Sequence, residues 1–398
     1  MTIASSTIVR PSTARMSELA LSGAAPVAIK PVPFMSTSLA EADIQAVYAV
    51  LKSGMLRAAG KCAELEQRWS SMTGSKHALT CANGTVALQL AYEPLFAPGD
   101  EVLVPAWSYI ATVSMVVARG GIPVFVDANP DTYQIDMADA ARKVTSKTRA
   151  ITPTHLYGCA VDIDAVQSLA AKHDLKVIYD AAQAHLATYK GQGLGKFGDA
   201  VTYSLYATKN LATGEGGLLT CNDDGLARTI GLLRSHGETE KYLHEMVGYN
   251  YRLNDMAGAL GCSRLDRLAA QTQERRNVAA IYDRMLSGVA GIKTPVTTPG
   301  SVPVYHLYVA QLDLARFSCT RDEFCAALKA EGIPTAVHYP RSLPQQPALA
   351  KYAKQGDTPI ANGLKDRVFA LPMHHDLSQE QIMWVTQAVG KVAAAYAI

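Results

Sequence analysis

The sequence has no Cys-x-x-Cys pair, no cysteine–histidine cluster at zinc-ligand spacing, and no apolar run approaching the roughly 18–20 residues that cross a bilayer. Its seven cysteines (Cys62, Cys81, Cys159, Cys221, Cys262, Cys319, Cys325) are odd in number and scattered. That pattern argues against a disulfide framework and for a reducing compartment, the cytoplasm. Excess charge is lacking as well. There are 37 Lys and Arg against 35 Asp and Glu, a formal net charge of +2, and no basic run. Neither a nucleic-acid surface nor a membrane-binding surface is expected from such a balance. No internal repeat is visible. What remains is an ordinary globular composition, 48% hydrophobic and 18% charged, in a chain of 398 residues. That length exceeds what one core organises, so two domains are expected.

Residues 1–27 are rich in Ser, Thr and Ala, carry Arg10 and Arg15, and have no acid before Glu18. An organellar transit peptide has this composition. So does a polar tail without an apolar face, and a disordered tail over 1–29 is the expectation. From about Lys30 the text becomes regular. Residues 39–52 and 62–73 have helical spacing, the second with Leu65 and Trp69 on one face. Strand-like runs at 102–105, 124–126, 150–154, 177–179 and 200–205 then alternate with helical patterns at 85–92, 110–118, 162–172 and 224–235. Such alternation predicts a largely parallel sheet wrapped by helices. A long charged helix starts between 252 and 275 and runs towards Met285. Beyond it, 305–312, 321–330, 336–338 and 378–395 predict a smaller α+β domain. The expected division is 30–264 and 265–398, with a hinge near 265.

Five local features fall where such a sheet puts its ligands, beyond the carboxyl ends of the strands. Cys81-Ala-Asn-Gly-Thr85 precedes a helix: Gly84 allows close backbone approach, Thr85 offers a hydroxyl, and the helix start offers free N–H groups to a phosphate. A plain N-cap reads the same way. Asp180 ends a buried strand and is either a cap or a functional carboxylate, with Gln183 and His185 close behind. His185 is equally readable as a structural histidine. Lys209 sits between the strand 200–205 and the turn Gly214-Glu-Gly-Gly217. Alone it reads as a surface charge, but its apolar flanks and tight turn point it into a cleft, where a desolvated amine has a lowered pKa suited to Schiff-base chemistry. Ser204 could add a hydroxyl to a phosphate site. Trp107-Ser108-Tyr109 follows a strand, and an aromatic there either stacks on a flat ring or belongs to the core. Val247-Gly-Tyr-Asn250-Tyr-Arg252-Leu-Asn254 reads as an ordered polar, aromatic loop.

From Pro33 to the C-terminus the chain resembles the DegT/DnrJ/EryC1/StrS family of pyridoxal 5′-phosphate (PLP)-dependent sugar aminotransferases. The resemblance rests on Ser53-Gly54, Asn83-Gly84-Thr85, Gly121-x-Pro123-Val-Phe-Val-Asp127, His155-Leu-Tyr-Gly158, Asp180-Ala-Ala-Gln183-Ala-His185, Lys209 with Gly214-Glu-Gly-Gly217, Gly248-Tyr-Asn250-Tyr-Arg252 and Leu371-Pro-Met-His374, in that order. It implies the fold type I architecture of PLP-dependent transferases: a large, mostly parallel seven-stranded α/β domain, a small C-terminal α+β domain, and a homodimer with shared active sites. It implies Lys209 as the Schiff-base lysine and general acid/base, Asp180 as the partner of the pyridinium nitrogen, and Gln183 as the partner of the ring hydroxyl. Gly84, Thr85 and Ser204 become phosphate ligands, and Tyr109 the stacking aromatic. Asn250 would reach the phosphate held by the neighbouring subunit.

Dehydratase-like members carry His where this chain has Lys209, so amino transfer is expected. Leu186 stands where Gly is usual, and Ser204-Leu205 replaces the commoner Ser-Phe; both neighbour the cofactor. The implied reaction moves an amino group from glutamate or glutamine to a nucleotide-linked keto-sugar. The alternative is a keto-cyclitol. Val247–Arg252 and Tyr206-Ala-Thr-Lys209 resemble the sugar branch, whereas Leu21–Val27 and His374-His375-Asp376 resemble the cyclitol branch. His306, His338 and Tyr339 are candidates for the substrate pocket or for ordinary packing of the small domain. A PLP-dependent dehydratase and a non-enzymatic binding protein on the same fold are the remaining readings.

Overall fold

The structure, a computed structural model, describes residues 13–354 and 356–398. A seven-stranded sheet organises the larger part. Its spatial order is His77–Cys81, Gly217–Cys221, Ala200–Ser204, Lys176–Asp180, Thr148–Ile151, Glu101–Pro105 and Ile122–Val126. Only Gly217–Cys221 runs antiparallel to its neighbours. The strands are short apolar runs because both faces are covered. In Lys176–Asp180, Val177 and Tyr179 enter one core cluster while Ile178 enters the other, the period-2 alternation of a strand. Helices Gly84–Leu95 and Ala111–Ala118 cover one face, and Ile163–His173 and Gly60–Thr73 the other.

A three-stranded antiparallel sheet, Ile292–Lys293, Tyr308–Leu312 and Val368–Leu371, forms the smaller lobe with helices Arg321–Ala330 and Gln379–Tyr396. It too alternates. Tyr308, Ala310, Leu312, Phe369 and Leu371 face the small lobe's own core, whereas Val309, Val368 and Ala370 join the core of the large sheet. The expected strand at 336–338 is reduced to a single bridge from Ala336 to Ala370.

One helix, Asp255–Leu286, serves both lobes across 32 residues. Ala257, Cys262, Leu265 and Leu268 pack in the large core, and Val278, Ala279, Tyr282 and Leu286 in the small one. The boundary expected at 264/265 lies inside this unbroken helix.

The segment expected as a disordered tail is ordered from Leu19 onward. Leu19 is fully buried in the small core, with Ala28 and Val32. The fully buried carboxylate of Glu331 holds the segment, accepting from the backbone N–H of Ala20 (2.9 Å) and Val27 (3.0 Å) and from Lys391 (2.9 Å). The physical reason is a long-range one: the partner lies more than 300 residues away. The part of the expected tail before residue 13 lies outside the described residues. Among the described residues no helix is long and apolar enough to cross a membrane.

Candidate active site

The carboxyl edge of the large sheet gathers most of the candidates named above. Asp180 ends its strand with the side chain buried. Its carboxylate accepts from the Thr112 hydroxyl at 2.6 Å and from the Ala182 N–H at 3.0 Å. Burial pushes this carboxyl's pKa up, against the two hydrogen bonds and the charge of Lys209. Thr112 is itself placed by Ser108, whose hydroxyl lies 3.3 Å from it and 2.9 Å from that of Thr154.

Lys209 lies in the loop between strands Ala200–Ser204 and Gly217–Cys221. The loop is folded back on itself: Leu205 N–H donates to Gly216, Thr213 N–H to Leu205, and Lys209 N–H to Tyr206, each at 2.8 Å. The amine makes no hydrogen bond or ion pair with a described residue. Burial lowers its pKa to about 8, with the Asp180 carboxylate opposing the shift. A desolvated amine near a buried carboxylate has the chemistry expected of a Schiff-base lysine.

Gln183 joins two walls of the site. Its Oε1 accepts from the Tyr157 N–H at 2.7 Å, and its Nε2 donates to the Tyr339 hydroxyl at 3.0 Å. Tyr157 donates its hydroxyl to the His338 carbonyl and accepts from the Trp107 indole at 2.9 Å. Trp107 is therefore a buried core aromatic, while Tyr109 is exposed, its ring 6.5 Å from that of Tyr339. His185 is buried among Trp69 and Tyr203 and, with a pKa lowered to about 3, is neutral. His306 is buried and His338 half-buried. Burial first, then the charge of Lys209, lowers the pKa of all three histidines.

At the other end of the site the helix Gly84–Leu95 begins. Asn83 caps it through Val86 N–H, leaving the N–H groups of Gly84 and Thr85 without a partner among the described residues. A Cβ on Gly84 would lie 2.7 Å from that of Ser204, and one on Gly217 would lie 2.4 Å from the Asn83 carbonyl oxygen. Both glycines are thus needed for this close approach of loop and strand. Asn250 is exposed. Its loop lies alongside, with Ala82 N–H donating to the Tyr251 carbonyl at 2.8 Å and a bridge from Asn250 to Ser235.

Residues 37–390 match the model of the DegT/DnrJ/EryC1/StrS aminotransferase family. The chain belongs to this family. The aminotransferase is 39% identical to the "pleiotropic regulatory protein" of Geobacillus stearothermophilus over 82% of this chain and 88% of that one. It is 37% identical to the UDP-N-acetyl-3-dehydro-alpha-D-glucosamine 3-aminotransferase of Acidithiobacillus ferrooxidans, over 89% and 98% of the two chains. Among solved structures it superposes on Streptomyces venezuelae DesV with a TM-score of 0.87 at 36% identity, covering 92% of this chain and 99% of that one. The fold is that of the PLP-dependent aminotransferases, and the enzyme's cofactor is PLP.

The residues present fit that group. The unpartnered N–H groups of Gly84 and Thr85 beside Ser204 form a cradle for a phosphate. The buried carboxylate of Asp180 calls for a cationic N–H. Gln183 keeps a second amide hydrogen, and the Lys209 amine has no competing protein partner among the described residues. Sequence reasoning left out Thr112, which holds Asp180, and Asn210, which follows Lys209. It quoted Tyr157 within His155-Leu-Tyr-Gly158 without giving it a role. No spacing rule singles out Thr112, because its partner lies 68 residues away.

Proposed function

We propose that the enzyme moves an amino group from glutamate or glutamine to the keto group of a nucleotide-linked keto-sugar, as a homodimer in the cytoplasm. The observation that carries this reading is the desolvated Lys209 amine opposite the buried Asp180 carboxylate, in a chain whose relatives include a UDP-keto-sugar aminotransferase. The Geobacillus relative's regulatory name supports no competing mechanism, since a binding protein has no use for the Lys209, Asp180 and Gln183 set.

When bound, PLP supplies the carbonyl that takes up the amino group and a ring that withdraws electrons from the reacting carbon. Lys209 Nζ removes the proton from the carbon bearing the amine and delivers it at the other end of the exchange. It does so as a neutral amine, which its lowered pKa makes available near neutral pH. Asp180, oriented by Thr112, keeps the ring nitrogen's proton in place. Gln183 Nε2 donates to the ring hydroxyl. Gly84, Thr85 and Ser204 hold the phosphate, and Tyr109 covers the ring. His306, His338 and Tyr339 line the substrate side. Asn250 reaches the site of a neighbouring subunit. Support for that neighbour comes from apolar side chains left exposed on helix Glu41–Ser53 and just beyond it (Ile44, Tyr48, Leu51, Met55) and near Asn250 (Tyr242, Leu243, Val247).

Single-turnover chemistry tests the reading. The PLP enzyme mixed with glutamate should yield one 2-oxoglutarate per site and lose its visible absorbance, which UDP-linked 3-keto-sugars should restore. Restoration by keto-cyclitols alone would move the substrate to that class. A Lys209→Ala variant with full turnover would end the mechanism.

A further inference from the structure

Asn210 follows Lys209 directly and is buried. Its amide meets the segment that leads into strand Tyr308–Leu312. Nδ2 donates to the Val304 carbonyl at 3.2 Å, and Oδ1 lies 3.3 Å from Nδ1 of His306. Turning the amide over would set its oxygen against the Val304 oxygen, two acceptors in contact, so only this orientation is hydrogen-bonded at both ends. With Oδ1 accepting, Nδ1 of His306 carries the ring proton.

A neutral imidazole has one N–H, so Nε2 of His306 keeps its lone pair. That nitrogen has no partner among the described residues, and it is not one of the sealed, buried polar atoms. The charged and titratable groups that act on the ring are Lys209, Arg275, His185 and His338. All are basic, and together with burial they hold the ring neutral. Elsewhere in the site the Lys209 amine and Gln183 Nε2 can donate, while the Asp180 carboxylate already accepts from Thr112 and Ala182. Nε2 of His306 is an acceptor among them, and it suits a ligand that brings an O–H.

We propose that Asn210 is a positioning residue that locks His306 in its Nδ1–H form, so that Nε2 accepts a hydrogen bond from the hydroxyl next to the keto group of the acceptor sugar. The proposal rests on the reading that the acceptor is a keto-sugar; the assignment of the tautomer does not. The site then discriminates among ketones by the group beside the carbonyl, and Asn210 ties that selection to the loop that carries Lys209.

Two measurements test it. In holoenzyme labelled with 15N-histidine, the His306 signals, identified by their loss in His306→Phe, should show a protonated Nδ1 and a bare Nε2 at neutral pH. Asn210→Leu should mix the two tautomers. Asn210→Asp should keep the Nδ1–H form and move the His306 titration to higher pH, because a carboxylate then faces the ring. A protonated Nε2 in the wild type, or a tautomer untouched by Asn210→Leu, overturns the role of Asn210.

The second measurement compares kcat/KM for UDP-N-acetyl-3-dehydroglucosamine and its 4-deoxy analogue. The wild type should prefer the hydroxylated sugar by roughly tenfold, the worth of one hydrogen bond (about 1.4 kcal/mol). The preference should fall to near unity in His306→Phe and Asn210→Leu. An equal loss on both sugars overturns the hydroxyl contact. If the wild type turns over neither sugar, the proposed acceptor class fails with that contact, and the tautomer alone decides Asn210.

Discussion

Lys209 offers the most direct measurement of whether the site is organised as described. Burial lowers its amine from 10.5 to about 8. At pH 7 that leaves roughly one amine in ten neutral, against about one in three thousand for an unperturbed lysine, a ratio of roughly 300. In protein stripped of PLP, pulse labelling with isotopic acetic anhydride, read by mass spectrometry, should therefore modify Lys209 far faster than surface lysines at pH 7. Its labelling should titrate with a midpoint near pH 8. Asp180→Asn should move the midpoint lower, because the carboxylate is the group that opposes the burial shift. The same shift has a stability signature. Between pH 8 and 10.5 the unfolded chain holds a proton on this lysine that the folded chain has released, so stability rises with pH across that window. The total is at most about 3 kcal/mol, and Lys209→Met should abolish that contribution in urea titrations. A labelling midpoint above pH 10 would refute the buried-amine description and the mechanism built on it.

Further outcomes follow from other contacts. Thr112→Val removes the hydroxyl that holds Asp180 and should weaken PLP binding roughly tenfold in absorbance titrations, with the fold intact by circular dichroism. Gly84→Ala drives a methyl into Ser204 and should cost about 1–3 kcal/mol in denaturant unfolding as well as loosening PLP. Glu331→Ala strands two backbone N–H groups and Lys391, and should destabilise the protein by about 3 kcal/mol while leaving PLP absorbance unchanged. His185 stays neutral down to about pH 3, whereas the unfolded ring charges below 6.5. Stability should fall on acidification from pH 7 to 5 by about 2 kcal/mol more in wild type than in His185→Phe.

Much of the site was legible because strand ends announce themselves. The run Val177-Ile-Tyr-Asp180 marks where an apolar strand stops on a carboxylate, and the candidate site gathers at that edge. Most of the parallel strands and their helices were readable from periodicity to within a few residues, but the short helix Met137–Lys143 was not. Nor were His77–Cys81 and Val368–Leu371: the first mixes His and Thr with apolar residues, and the second is a four-residue apolar run that periodicity cannot tell from a piece of buried helix. Lys209 needed its neighbours in sequence to be distinguished from a surface lysine. The roles of Thr112, Asn210 and Glu331 come from partners 68, 94 and more than 300 residues distant, and no local window contains such pairs. Trp107 and Tyr109 illustrate the remaining ambiguity. Both follow one strand, and only packing decides that the first is core and the second open to the cleft.

The single helix Asp255–Leu286 bears on how the enzyme comes apart. At about 1.5 Å per residue its 32 residues form a rod of roughly 48 Å, and each half is a structural member of a different core. Neither lobe can melt alone without stripping half of that rod of its packing. Heat or denaturant should therefore produce one cooperative transition, not two.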